Sequence, residues 1–192
     1  MKLGLMGGMF DPIHFGHLRA AENARETLGL DRVHFVPAAM PPHRAAPTAS
    51  SLDRYAMVAL ATAGDATFVP WDGEIRREGA SYTVDTAQAL LHENPGAALT
   101  LIVGADNLAL LPQWKEPKRL LELCTVAVVG RPGERPPEFA PALDPKRFVH
   151  VEGSHLPIAS SALRERVRAG RSVRYLVPDA VAGYIDKRGL YR

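Results

Sequence analysis

The sequence predicts an α/β fold, a doubly wound parallel sheet of five to six strands with helices on both faces. Three observations lead there. Short apolar runs alternate along the chain with segments of helical periodicity, which implies parallel pairing through right-handed crossovers. The runs are nearly continuous rather than alternating apolar and polar, as in strands covered on both faces. Polar stretches rich in Gly and Pro follow the runs, at the rim where open α/β sheets bind ligands.

Each element has its own justification. "KLGLM" is a short buried strand, and 16–29 follows with Leu18, Ala21, Ala24 and Leu28 at helical spacing. "VHFVP" is a second strand. "AAMPPHRAAPT" is a proline-rich loop that cannot join a ladder. Ser50 with Asp53 forms a capping box that opens a helix over 52–62. "TFVPW" is a third strand and "DGEIRREGASY" a polar connection. A helix over 83–92 is closed by "NPG". "ALTLIVG" is the fourth strand. "DNLALLPQWKEPKRLLEL" holds a short helix, a Pro break and a second helix, and "TVAVVG" is the fifth strand. Five prolines and many charges over 131–147 predict an exposed irregular loop. "FVHVEG" is a sixth strand, and helices over 161–169 and 178–187 complete the reading.

With 192 residues, 46% hydrophobic and 23% charged, the chain reads as one domain over 1–192 with enough apolar surface for a core. Its one cysteine, Cys124, excludes an intramolecular disulfide framework and lies among apolar neighbours as an inert thiol. No apolar run approaches the roughly 20 residues of a membrane helix. The start is too soon interrupted for a signal peptide, so a cytoplasmic protein is expected, with no membrane partner. A net charge of +2 gives no argument for nucleic acid. From Arg164 onward eight Arg or Lys stand against three acids, a tail suited to a polyanion or simply to solvent.

The chemistry concentrates in "GGMFDPIHFGHL". Gly7 and Gly8 follow the first strand, where a sharp turn lets a ligand approach the backbone. The helix beyond offers unpaired N–H groups and the positive end of its dipole, which suits a phosphate. It is neither a G-x-G-x-x-G nor a Walker A loop. His14 and His17 share a helix face. There they can donate to phosphate oxygens and carry part of a charge near neutral pH. A metal pair or plain helix-start residues are the other readings of the same spacing, with no third ligand evident. Gly16 leaves room where a base or ribose could pack, and Asp11 is a turn residue, an organiser of the loop or a holder of metal-bound water. Near the other end, Ser160 and Ser161 can cap a helix, and Arg164 returns its side chain to the same helix end. That makes either a second phosphate cradle or an ordinary cap before a solvated basic helix.

"GGMFDPIHFGHL" resembles the G-x-F-D-P-x-H-x-G-H signature of the nucleotidylyltransferase superfamily, and "IASSALR" its I-S-S-x-x-[IL]-R motif, with Ala159 between Ile158 and Ser160. "VPAAMPPHR", "EIRREGASYTVDT", "LIVGADNLALLPQWKEPKRLLE" and "LRERVRAGRSVRYLVP" resemble, in order, segments of the bacterial nicotinate-nucleotide adenylyltransferases. The resemblance implies a Rossmann-like sheet, with helices 158–192 completing an ATP site. It also implies transfer of AMP from ATP, with Mg²⁺ bound to the nucleotide, onto nicotinate mononucleotide. His14, His17 and Arg164 would be catalytic. Gly7, Gly8, Met9, Phe10, His14, Gly16, His17, Gly104, Asp106, Ser160, Ser161 and Arg164 would bind ATP, and His43, Arg44, Tyr82, Thr83 and Trp114 the acceptor. No resident metal site is implied.

The residue types suit those roles. Trp114 offers a flat face to a cationic pyridinium ring, or a packing surface. Tyr82 and Thr83 stand where a helix begins and its amides could receive a carboxylate. His43 and Arg44 could approach a phosphate or be plain loop charges. Asp106 can accept from ribose hydroxyls or cap a helix. A phosphopantetheine adenylyltransferase shares the first and last motifs but gives no reason for "REGASYT" or "LPQW". A nucleotide sensor without catalysis is the other alternative.

Overall fold

The computed structural model describes residues 1–40, 46–130, 144–154 and 156–192. In chain order the elements are β1 (Lys2–Gly8), α1 (Phe15–Leu28), β2 (Arg32–Pro37), α2 (Ser51–Thr62), β3 (Phe68–Pro70), α3 (Gly73–Arg76), α4 (Thr83–Glu93), β4 (Ala98–Gly104), α5 (Ala105–Leu108), α6 (Pro117–Leu123), β5 (Cys124–Gly130), β6 (Phe148–Glu152), α7 (Ser160–Arg168) and α8 (Asp179–Arg188). Single 3₁₀ turns occupy Leu111–Gln113 and Pro145–Arg147. All six strands are parallel, in the order β3-β2-β1-β4-β5-β6, so the chain reverses its direction of winding between β1 and β4. This is the Rossmann-like sheet that the sequence predicts.

Side chains alternate across the strands into two cores. On β4, Leu99, Leu101 and Val103 join Val84, Ala87 and Leu90 of α4 and Leu120 and Leu121 of α6. From the opposite face, Ile102 joins Ala21 and Ala24 of α1, Met57 and Val58 of α2, Leu163 of α7, and Val181 and Ile185 of α8. Both faces are therefore covered, which is why the strands read as unbroken apolar runs. Cys124 belongs to the first core, and burial pushes its thiol up to about 12.

The predicted boundaries hold within a residue or two for most elements. Ser50 caps α2 by accepting from Asp53 N at 3.1 Å, and Gly29 ends α1 in the left-handed conformation at φ 61°. Two readings need correction. The polar connection after β3 contains α3, whose inward residue is Glu74, buried with Thr86 Oγ1 donating to it. A charged residue on the inner face hides the apolar period by which a helix is recognised. The cap position of α7 is Ala159, with no side-chain cap bond. The Ser160 hydroxyl instead donates to Pro12 O at 2.9 Å. Most of the predicted loop at 131–147 lies outside the described residues.

Candidate active site

Pairing between β1 and β4 runs from Lys2↔Ala98 to Leu5↔Leu101 and stops there, although both strands continue for three residues. The crevice opens at that point. Met6, Gly7 and Gly8 line one wall and Ile102, Val103 and Gly104 another, in a cavity of about 960 Å³. This is the carboxyl-end switch point of an open α/β sheet.

The cavity brings together most of the residues picked out by sequence. Met9, Phe10, His14, Gly16, His17, Asp106, Ser160, Ser161 and Arg164 line it, and so do Tyr82, Thr83 and Trp114. His43 and Arg44 lie outside the described residues. Thr83 is the first residue of α4 and Tyr82 its cap position, so the start of that helix, with its unpaired amides, lies at the cavity wall. Asp106 sits in the first turn of α5, whose cap position is Gly104, and so is not itself the cap.

The two histidines form a stacked pair, with ring centroids 3.7 Å apart and planes at 24°. His14 occupies the cap position of α1, and its backbone N–H donates to His17 Nδ1 at 3.3 Å. An accepting Nδ1 leaves the ring proton of His17 on Nε2, as a donor. Phe10 meets the His17 ring edge-on, with centroids 5.1 Å apart. Burial lowers the His14 imidazole to about 4. Burial, and then repulsion from His14, hold His17 well below the usual imidazole range. Both shifts work against the partial charge expected near neutral pH, because His14 is buried, His17 is half-buried, and a proton on either ring would face the other. A neutral imidazole can still donate through one ring nitrogen. Gly16 has a second neighbour to accommodate. A Cβ there would stand 2.9 Å from His14 Nδ1, so its small size accommodates the histidine ring as well as the cavity.

Asp11 is no metal-water ligand. It is 3% exposed, and its carboxylate accepts from Thr48 N at 2.7 Å, Ala49 N at 3.1 Å and the Tyr191 hydroxyl at 2.8 Å. Arg164 Nη1 donates to Asp11 O at 2.8 Å, and Arg54 Nη1 to Met9 O at 2.8 Å. The arginine expected to grip a triphosphate thus also pins the loop that carries the histidines. Among the described residues no group of three His, Cys, Asp or Glu could hold a metal ion.

Three neighbours of the site escape the sequence reading. Lys115 lines the cavity, bonds Asp85 at 3.0 and 3.1 Å and lies 4.7 Å from the centre of the Tyr82 ring. It ties the segment carrying Trp114 to the start of α4. Arg54 and Tyr191 grip the β1–α1 loop from α2 and from beyond α8. A pairing between residues far apart along the chain leaves no local mark in a sequence.

Residues 5–166 match the cytidylyltransferase-like family, which makes the chain a nucleotidyltransferase by class, and the reversing parallel sheet with a crevice at its switch point is the frame that such a protein needs. Two curated relatives, each called a "probable nicotinate-nucleotide adenylyltransferase", are similar over nearly their full length. A protein from Thermus thermophilus is 48% identical over 192 residues, covering all of both chains. The protein from a Roseiflexus species is 47% identical over 200 residues, covering 99% of this chain and 98% of the other. The chain belongs to the nicotinate-nucleotide adenylyltransferase family. Its fold is also that of the Plasmodium falciparum nicotinic acid mononucleotide adenylyltransferase complexed with NaAD, at a TM-score of 0.77 and 15% identity, covering 99% of this chain and 97% of that one.

Proposed function

We propose that the cavity holds ATP and nicotinate mononucleotide together and that the chain joins them into deamido-NAD with release of pyrophosphate, a reaction of the cytoplasm. The observation that carries this reading is the shared cavity of His17 and Arg164, which come from the two ends of the sequence. An oxygen of the acceptor's phosphate attacks the α-phosphorus of ATP, and the bond from that phosphorus to the β-bridging oxygen breaks. The nucleophile is already anionic, so no general base is required. Catalysis then consists of aligning two anions that repel each other and stabilising charge that spreads onto the leaving pyrophosphate. His14, His17 and Arg164 supply those donors, with Ser161 and the free N–H groups of α7 beside them. Gly7, Gly8, Met9, Phe10, Gly16, Gly104 and Asp106 take the nucleoside side of ATP. Ser160 completes the ATP site from helices 158–192, over the single domain 1–192.

Mg²⁺ enters with the triphosphate, as part of the substrate, since it is bound largely through nucleotide phosphates and water. For the acceptor, the N-terminus of α4 favours a carboxylate over a neutral amide, and Trp114 offers its face to the pyridinium. His43 and Arg44 are assigned to the acceptor's phosphate by their sequence motif alone.

Pyrophosphate release from ATP, measured in parallel with nicotinate mononucleotide, nicotinamide mononucleotide and phosphopantetheine, tests the reading. The fastest release is expected with nicotinate mononucleotide. Release no faster than from ATP alone would refute it.

A further inference from the structure

The loop from Met9 to Pro12 is gripped by side chains from separate segments of the chain. Its carbonyls accept from Arg54, Arg164 and Ser160, and its one carboxylate, on Asp11, accepts from two amides and from Tyr191. Arg54 is fully buried and its Nε also donates to Ala49 O at 3.3 Å. Two residues of this contact have backbones that side chains seldom adopt: Phe10 at φ 47° and Tyr191 at φ 65°. Such conformations persist only where the surroundings over-determine them, and they gather at functional sites. The hydroxyl of Tyr191 does not reach the cavity wall; it ends on Asp11, one residue from Phe10 and three from His14.

We propose that Tyr191 is a positioning residue for the nucleotidyl transfer: its hydroxyl, acting through the Asp11 carboxylate, sets the loop that presents His14 and receives Arg164. This rests on the reading given above. Asp11 is the point where the influences meet. Its carbonyl accepts Arg164 Nη1, and its carboxylate Oδ2 stands 3.9 Å from the same atom. With one donor lost from Oδ1, the carboxylate would turn toward Arg164 and draw the guanidinium back from the cavity. Burial, and then the Asp11 charge, hold the Tyr191 phenol far above its usual range, so it donates at every working pH.

The test is Tyr191→Phe in the full chain, which removes one hydroxyl and keeps the ring in its core. The expected result is a tenfold loss of kcat with the KM for nicotinate mononucleotide changed by less than twofold. Asp11→Ala removes the acceptor and so severs the same contact from the other side. It should lower kcat similarly, and the double variant should lose less than the product of the two single losses. A kcat for Tyr191→Phe within twofold of wild type, even with a lowered thermal midpoint, would reduce Tyr191 to a packing residue. So would multiplicative losses in the double variant. If the wild type itself releases no pyrophosphate with any acceptor, the functional reading fails and takes this inference with it.

Discussion

At the scale of the residue, the site is built to keep two imidazoles neutral and close together. His17→Ala should lower kcat/KM by two orders of magnitude or more, roughly 3 kcal/mol of transition-state stabilisation. Near-normal steady-state turnover by the folded variant would remove His17 from the mechanism. The depressed His14 value also predicts a pH dependence of stability. Between its ordinary 6.5 and about 4 the unfolded chain binds a proton that the folded chain refuses. Stability from this group is therefore complete above pH 6.5 and is lost as the pH falls toward 4, by at most about 3 kcal/mol. Urea titrations across that window should show the decline, and His14→Gln should make it shallower, with His17 and His34 carrying the remainder. Both histidines were legible because their spacing is local and their residue type is rare at a helix start. Their protonation state was not, because it depends on burial and on a stacked partner. Arg54 was hidden for a different reason: an arginine in a helix defaults to solvent, and only the carbonyls of Met9 and Ala49 reveal why this one is inside.

At the scale of the element, α7 does two things at once. Leu163 is 1% exposed and packs against the sheet, while its neighbours Ser160 and Arg164 bond the β1–α1 loop. Leu163→Ala should destabilise the protein by about 2–5 kcal/mol, read by chemical denaturation, and should raise the KM for ATP because the helix carries the arginine. A stability loss with an unchanged KM for ATP would separate the two tasks. Helices with an apolar stripe, such as α1 and α4, were readable from their period. The short α3 was not: it turns a glutamate inward, and a buried carboxylate looks in sequence like a solvated loop. The serines ahead of Arg164 line the cavity but are not caps, because a hydroxyl chooses between its own helix end and a nearby carbonyl only in three dimensions.

At the scale of the whole molecule, the parallel order with its reversal at β1 and β4 follows from the alternation of strands and helices, and that order dictates where a ligand can sit. The sheet and its two covered faces were legible for this reason, as were the rim segments after β1 and β4. What the order alone leaves open is the division of the cavity between two substrates. Trp114→Ala should raise the KM for nicotinate mononucleotide about tenfold, on the scale of one lost cation–π contact, and leave the KM for ATP within twofold. An effect confined to ATP would place Trp114 on the nucleotide side. The bond from Tyr191 to Asp11 spans 180 positions, and it has a consequence for biosynthesis. During translation the first strand and its loop leave the ribosome 180 residues ahead of the partner that closes that loop. A nascent chain can thus build most of its sheet while still tethered, and the loop acquires its final grip only after the end of α8 has cleared the exit tunnel.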